Sequence, residues 1–169
     1  STLIENSAVT RAIVDMFTAR FALCATAQDQ TKSARKTTRL RNKILKLLES
    51  VTSADQDRIL RRYVNLVDAT LRTNFHQTDD AGEPKSWLSL KLSSQAVDEL
   101  PLPRPKVEIF VYAPDVEGVH LRFGDVARGG LRGSVRREDF RTEILGLVKA
   151  QQVQNAVLVP EGRLEHGRG

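Results

Sequence analysis

Val107-Glu108-Ile109-Phe110-Val111-Tyr112, followed after Ala113-Pro114-Asp115-Val116-Glu117-Gly118 by Val119-His120-Leu121-Arg122-Phe123, decides the fold. The first run is rich in β-formers, and the last alternates apolar Val119, Leu121 and Phe123 with His120 and Arg122 at the two-residue period of a half-buried strand. Pro114, Asp115 and Gly118 supply a loop between them, so a hairpin is the simplest reading. Upstream, Leu88, Leu90 and Leu92 alternate with Ser89 and Lys91 as another strand, entered through the turn residues Asp79, Asp80, Gly82 and Pro84. Pro101, Pro103 and Pro105 forbid regular structure between Leu100 and Lys106 and read as a stiff linker. Downstream, Ser134 can cap a helix with the apolar stripe Phe140, Ile144, Leu147 and Val148. The short apolar run Ala156 to Val159, stopped by Pro160, then reads as a buried strand.

The chain before this region has a different period. Val9, Ile13, Met16, Phe17 and Phe21 recur at three- and four-residue steps after a candidate N-cap, Ser7. Leu40, Ile44, Leu47, Leu48 and Val51 make a second helical stripe, with Lys32, Lys36, Arg39, Lys43 and Lys46 on an adjoining solvated face. Ser53 and Gln56 form a capping-box signature before a third stripe, Ile59, Leu60, Tyr63, Val64, Val67 and Leu71. The expected class is therefore α+β. A helical segment spans residues 1–74, a strand and Pro-rich linker residues 75–105, and a mixed α/β region residues 106–169.

Of the 169 residues, 40% are hydrophobic and 28% charged, the balance of an ordinary globular protein. No run approaches the eighteen or so apolar residues of a membrane span, and the N-terminus lacks a secretory pattern, so no membrane partner and a cytoplasmic location are expected. Cys24, the single cysteine, reads as a reduced thiol in a helix, and no two of the three histidines have metal-ligand spacing. The net charge of +5 and pI near 9.7 raise nucleic acid as a partner. With 5% aromatic residues and none interleaved with the basic ones as a stacking platform, nucleic acid is not expected.

The densest chemistry lies between Arg128 and Arg141: Gly129-Gly130, then Arg132, Ser134, Arg136, Arg137 and Arg141 around Glu138 and Asp139. Glycine lets a ligand approach the backbone, and arginine binds carboxylates with a planar fork of donors. These features suggest an anion pocket at a helix N-terminus. Taken alone, the same residues fit ordinary turn and ion-pair chemistry. Because arginines in a first turn oppose the helix dipole, at least one of them should have an anionic partner.

Longer runs are more specific. Val119-His120-Leu121-Arg122-Phe123-Gly124, Val126-Ala127-Arg128-Gly129-Gly130-Leu131-Arg132, Arg136-Arg137-Glu138-Asp139-Phe140-Arg141-Thr142-Glu143 and Leu145-Gly146-Leu147-Val148-Lys149-Ala150-Gln151 resemble the signature of the large bacterial NAD-specific glutamate dehydrogenases. So do Asn155-Ala156-Val157, Val159-Pro160 and, upstream, Asp57 to Tyr63, Ala69 to Phe75 and Pro101 to Pro105. The resemblance implies a piece of an enzyme that oxidatively deaminates L-glutamate to 2-oxoglutarate and ammonium, working as a homo-oligomer with the remainder of the dehydrogenase chain. By position in the motif it implies substrate-carboxylate binding by Arg128, with Gly129 and Gly130 shaping the loop and Arg132, Ser134 and Lys149 completing the pocket.

This sequence departs from that signature in places. The family usually has tryptophan and aspartate at Gly133 and Val135, and lysine at Gln154, so packing and charge at three pocket positions are altered. Its glycine-rich loop after Pro160 carries a lysine suited to act as a base. Here the sequence reads Glu161-Gly162-Arg163-Leu164-Glu165-His166-Gly167-Arg168-Gly169, and no catalytic residue is assigned. No Gly-x-Gly-x-x-Gly is present, so NAD is expected in the parent enzyme and none on this chain alone. The expectation is thus a fragment inactive by itself; the alternative is a non-catalytic basic interaction module that keeps the fold.

Overall fold

The computed structural model describes residues 1–124, 129–134, 141–143, 145–146 and 155–160, the stretches 129–134 and 155–160 by their backbone. The chain divides into two compact units, Ser1–Ala69 and Thr70–Gly169.

The first unit is helical: α1 (Thr2–Glu5), α2 (Ser7–Arg20), α3 (Ala27–Leu48) and α4 (Ala54–Ala69). Each of the three longer helices turns one apolar stripe inward. Val9, Ile13 and Met16 of α2, Leu40, Ile44 and Leu48 of α3, and Leu60, Val64 and Val67 of α4 form one core, as the sequence periodicity required. Burying side chains the size of Met16, Ile44 and Leu60 contributes roughly 1.5–3 kcal/mol each. Thr26 caps α3, its Oγ1 accepting from the Asp29 amide at 3.1 Å. Several boundaries differ from expectation. Asn6, not Ser7, is the N-cap of α2; α3 starts well before Leu40; and Val51 lies beyond its end. The capping box of α4 is half made: the Gln56 amide reaches Ser53 Oγ at 3.4 Å, while the Gln56 side chain bonds Glu5 and Asn6 and so ties α1 to α4. Cys24 sits in the α2–α3 loop rather than in a helix, its thiol donating to the Ala22 carbonyl.

An adjoining face of α3 is basic. Lys32, Lys36, Arg39, Lys43 and Lys46, joined by Arg35, are exposed and fall within a sector of roughly 100° around the helix. None of the six is ion-paired among the described residues. The carboxylates of α4 are occupied elsewhere: Asp55 by Arg58, Asp57 by Arg61 and Asp68 by Arg41. No described helix is long and apolar enough to cross a membrane.

The second unit is a six-stranded sheet in the order β1 (Thr70–Thr73), β2 (Leu88–Ser93), β3 (Val107–Ala113), β4 (Val116–Arg122), β6 (Asn155–Pro160), β5 (Gly129–Ser134). All neighbours are antiparallel except β5 and β6. The expected hairpin is β3–β4, closed by the two residues Pro114 and Asp115 between Ala113 and Val116. Gly118, expected in the loop, lies inside β4 opposite Val111. A strand was not expected at β1: the apolar spacing carries the third helical stripe on to Leu71, but α4 ends at Ala69, and Leu71 is half-exposed on β1. Pro101 to Pro105 carry no regular structure, as expected, and Pro105 is buried. The α+β class therefore holds.

Candidate functional site

The Gly-Gly pair takes a form the sequence did not suggest. Gly129 and Gly130 begin a strand rather than a loop, and Ser134 ends that strand; the helix start expected after Ser134 lies outside the described residues. β5 runs parallel to β6 with Gly130 opposite Ala156, Arg132 opposite Leu158 and Ser134 opposite Pro160. Parallel neighbours need a crossover connection. Residues 141–143 and 145–146, helical and between the two strands in sequence, supply part of it, so a helix followed by a strand is present as expected, while the stripe Phe140, Ile144, Leu147 and Val148 lies outside the described residues. Of the residues expected in the pocket, the sheet brings Gly129, Gly130, Arg132 and Ser134 onto one strand at its end. Arg128 and Lys149 lie outside the described residues, as do Gln154 and the tail after Pro160.

The ladder ties this strand to the interior of the sheet. Successive register pairs run Leu92, Glu108, Leu121, Ala156, Gly130 across five strands. With neighbouring strands about 4.8 Å apart, Gly130 lies roughly 14 Å from Glu108 along this row. Glu108 is a carboxylate between Leu92 and the fully buried Leu121, with a side chain 12% exposed. Arg141 neutralises it: Nη2 donates to Oε1 at 2.7 Å, and Nε lies 3.3 Å from both carboxylate oxygens. One arginine of the 128–141 cluster thus has an anionic partner; Arg136 and Arg137, expected in the first turn after Ser134, lie outside the described residues. Glu108 itself was missed. The signal was a lone acid in the apolar run Val107 to Val111, a position where burial requires a cation.

Two further groups border the row. His120, opposite Ile109 and Val157, has its pKa lowered by burial and secondly by the charge of Arg122. Arg122 turns its Nε to the Gly124 carbonyl at 2.9 Å, holding the end of β4 a few residues before the glycine pair. Among the described residues no group of His, Cys, Asp or Glu is arranged to hold a metal ion.

A helical unit followed by a sheet whose one described parallel pair bears Gly129, Gly130 and Arg132 defines the class as an α+β segment. The profile of the family described as bacterial NAD-glutamate dehydrogenase, catalytic domain, matches residues 43–166. The chain is 55% identical over 164 residues to an NAD-specific glutamate dehydrogenase of Pseudomonas aeruginosa and 52% identical over 163 residues to that of Mycobacterium tuberculosis; each match covers 96% of this chain and 10% of the relative. An NAD-specific glutamate dehydrogenase of Neurospora crassa is 30% identical over 134 residues, 73% of this chain and 12% of the relative. This chain belongs to the bacterial NAD-glutamate dehydrogenase family, within its catalytic domain, and spans about a tenth of the length of the curated relatives it matches.

Proposed function

We infer that the chain is a segment of a cytoplasmic NAD-dependent glutamate dehydrogenase of amino-acid catabolism, contributing part of the pocket that holds L-glutamate. The observation that carries this reading is the family match from Lys43 to His166, which takes in β5, the helical residues 141–143 and 145–146, and β6. The activity so inferred converts L-glutamate, NAD and water to 2-oxoglutarate, ammonium, NADH and a proton. Arg128 would bind a substrate carboxylate by a charge-assisted fork, with Gly129 and Gly130 keeping the strand backbone free of side chains beside the ligand. Arg132, Ser134 and Lys149 complete the anionic pocket, and the working enzyme is a homo-oligomer formed with the remainder of the dehydrogenase chain.

NAD does not fit the residues described here. The sheet has a single parallel pair, and no glycine-rich strand-to-helix turn for a pyrophosphate lies among the described residues. No step through NAD is assigned to this chain, which we expect to be inactive alone.

The test is a graft. Residues 1–160, carrying Gly133→Trp, Val135→Asp and Gln154→Lys to restore the residues usual in the family, replace the matching segment of the Pseudomonas aeruginosa enzyme. Glutamate-dependent NADH formation by the graft, with the Michaelis constant for glutamate raised about tenfold or more by Arg128→Ala, is the expected result. A folded graft without glutamate turnover, or an Arg128→Ala form with unchanged kinetics, overturns the reading. The alternative, a basic interaction module, draws on the six exposed cations of α3. Salt-sensitive retention of this chain on heparin, lost on reversing Lys36, Arg39 and Lys43, would favour it.

A further inference from the structure

We propose that Glu108 and Arg141 form a positioning clamp for the glutamate site, fixing the helix after β5 on the sheet and thereby the place of β5 itself. The proposal rests on reading Gly129–Ser134 as part of that site. Three observations carry it. Arg141 stands seven residues beyond Ser134, where helical structure is first described after β5. It engages Glu108 through two nitrogens, so the contact fixes both distance and rotation, as a single point charge would not. Glu108 lies in the register row that ends on Gly130. Helix, β3 and β5 thus share one frame.

Stability alone gives little reason for an ion pair here. The carboxylate is 12% and the guanidinium 23% exposed, and taking both from water offsets most of their attraction; an apolar pair of similar volume would hold the helix about as firmly. What the ionic pair adds is direction. Leu145, one turn further on, is buried at 6% exposed. The pair also removes one arginine from a cluster that includes Arg128, Arg132, Arg136 and Arg137. With Arg141 satisfied by Glu108, a substrate carboxylate does not compete for it. Neither residue touches substrate; both act through the elements they hold.

Two experiments test the clamp. In the graft described above, Glu108→Gln (charge removed, shape kept) and Arg141→Lys (charge kept, fork removed) should each raise the Michaelis constant for glutamate roughly tenfold, since small misplacements of binding groups are costly. The constant for NAD should stay within about twofold, and the swapped pair Glu108→Arg with Arg141→Glu should recover part of the loss. Unchanged glutamate kinetics with only a lowered melting temperature would show a merely structural pair and overturn the proposal. The second experiment needs no catalysis: amide hydrogen exchange of this chain, where Arg141→Lys should speed exchange in both 141–146 and 129–134. If the unmodified graft is inactive, the functional reading fails while exchange still decides the clamp. Exchange unchanged in 129–134 overturns it.

Discussion

Asn74 completes the ladder opposite Ser89 with its side chain. Its Oδ1 accepts from the Ser89 amide at 2.6 Å, and its Nδ2 donates to the Trp87 carbonyl at 2.8 Å, just past the last β1–β2 pair, Thr73 and Leu90. The residue is 7% exposed. Asn74→Ala strips partners from an amide and a carbonyl that water reaches poorly, so the sheet unit should lose about 2–3 kcal/mol. Asn74→Asp keeps the acceptor for Ser89 but sets a carboxylate oxygen against the Trp87 carbonyl, so at neutral pH it should lose at least as much. Urea unfolding followed by Trp87 fluorescence measures both. A midpoint unchanged in Asn74→Ala would mean that backbone pairing alone fixes β1.

In the helical unit the decisive contrast is between Ile44 and Ile59. Ile44 is fully buried within the three-helix core, whereas Ile59 is 36% exposed on α4. Ile44→Ala should cost roughly 2–5 kcal/mol, the range for a truncation that leaves a cavity. Ile59→Ala should cost under about 1 kcal/mol. Thermal unfolding followed by helical circular dichroism compares them directly, and similar losses would contradict the assigned core.

The same contrast explains what the sequence made legible. The stripes through Met16, Ile44 and Leu60 were readable because one period satisfied one buried face over several turns. The third stripe misled at its end: Leu71 keeps helical spacing, but it belongs to β1 and is half-exposed. Tertiary pairing with β2 outweighed local period there. At β5 the difficulty was different. Gly129-Gly130 has no side-chain alternation to mark a strand, and the pairing that makes it one comes from β6, over twenty residues away. The glycine and arginine chemistry suggested an anion pocket, but only family resemblance gave Arg128 and Lys149 roles in it. The acid that organises the nearby helix, Glu108, belonged to a strand whose apolar neighbours drew attention from it.

The basic face of α3 predicts a stabilising charge reversal. Arg39 has Arg35 and Lys43 four residues away and Lys36 three residues away, all exposed and of like sign. Each such pair is unfavourable by a few tenths of a kcal/mol, and reversal makes it favourable by a similar amount. Arg39→Glu should therefore stabilise the helical unit by roughly 1 kcal/mol at low ionic strength, and by much less in 1 M salt. Melting temperatures of both forms at the two salt concentrations read the effect. No gain at low salt would show that the six cations already have partners in solution.

His120 sets a pH dependence whose sign follows from its surroundings. Burial disfavours the imidazolium, and Arg122 disfavours it further, so its folded pKa lies below the ordinary histidine value of about 6.5. Between the folded and unfolded values the unfolded chain binds more protons, and stability rises with pH through that interval. The contribution of His120 is fully present above the unfolded value and is lost as pH falls through the folded one. The sheet unit should thus weaken from about pH 6.5 downward, ahead of general carboxylate protonation. His120→Gln cannot take up a proton and should flatten that part of the profile while leaving the loss at lower pH. Urea midpoints at half-unit steps from pH 8 to pH 5 supply the comparison. Parallel profiles for the two forms would place the proton uptake elsewhere and leave the half-buried imidazole without influence on stability.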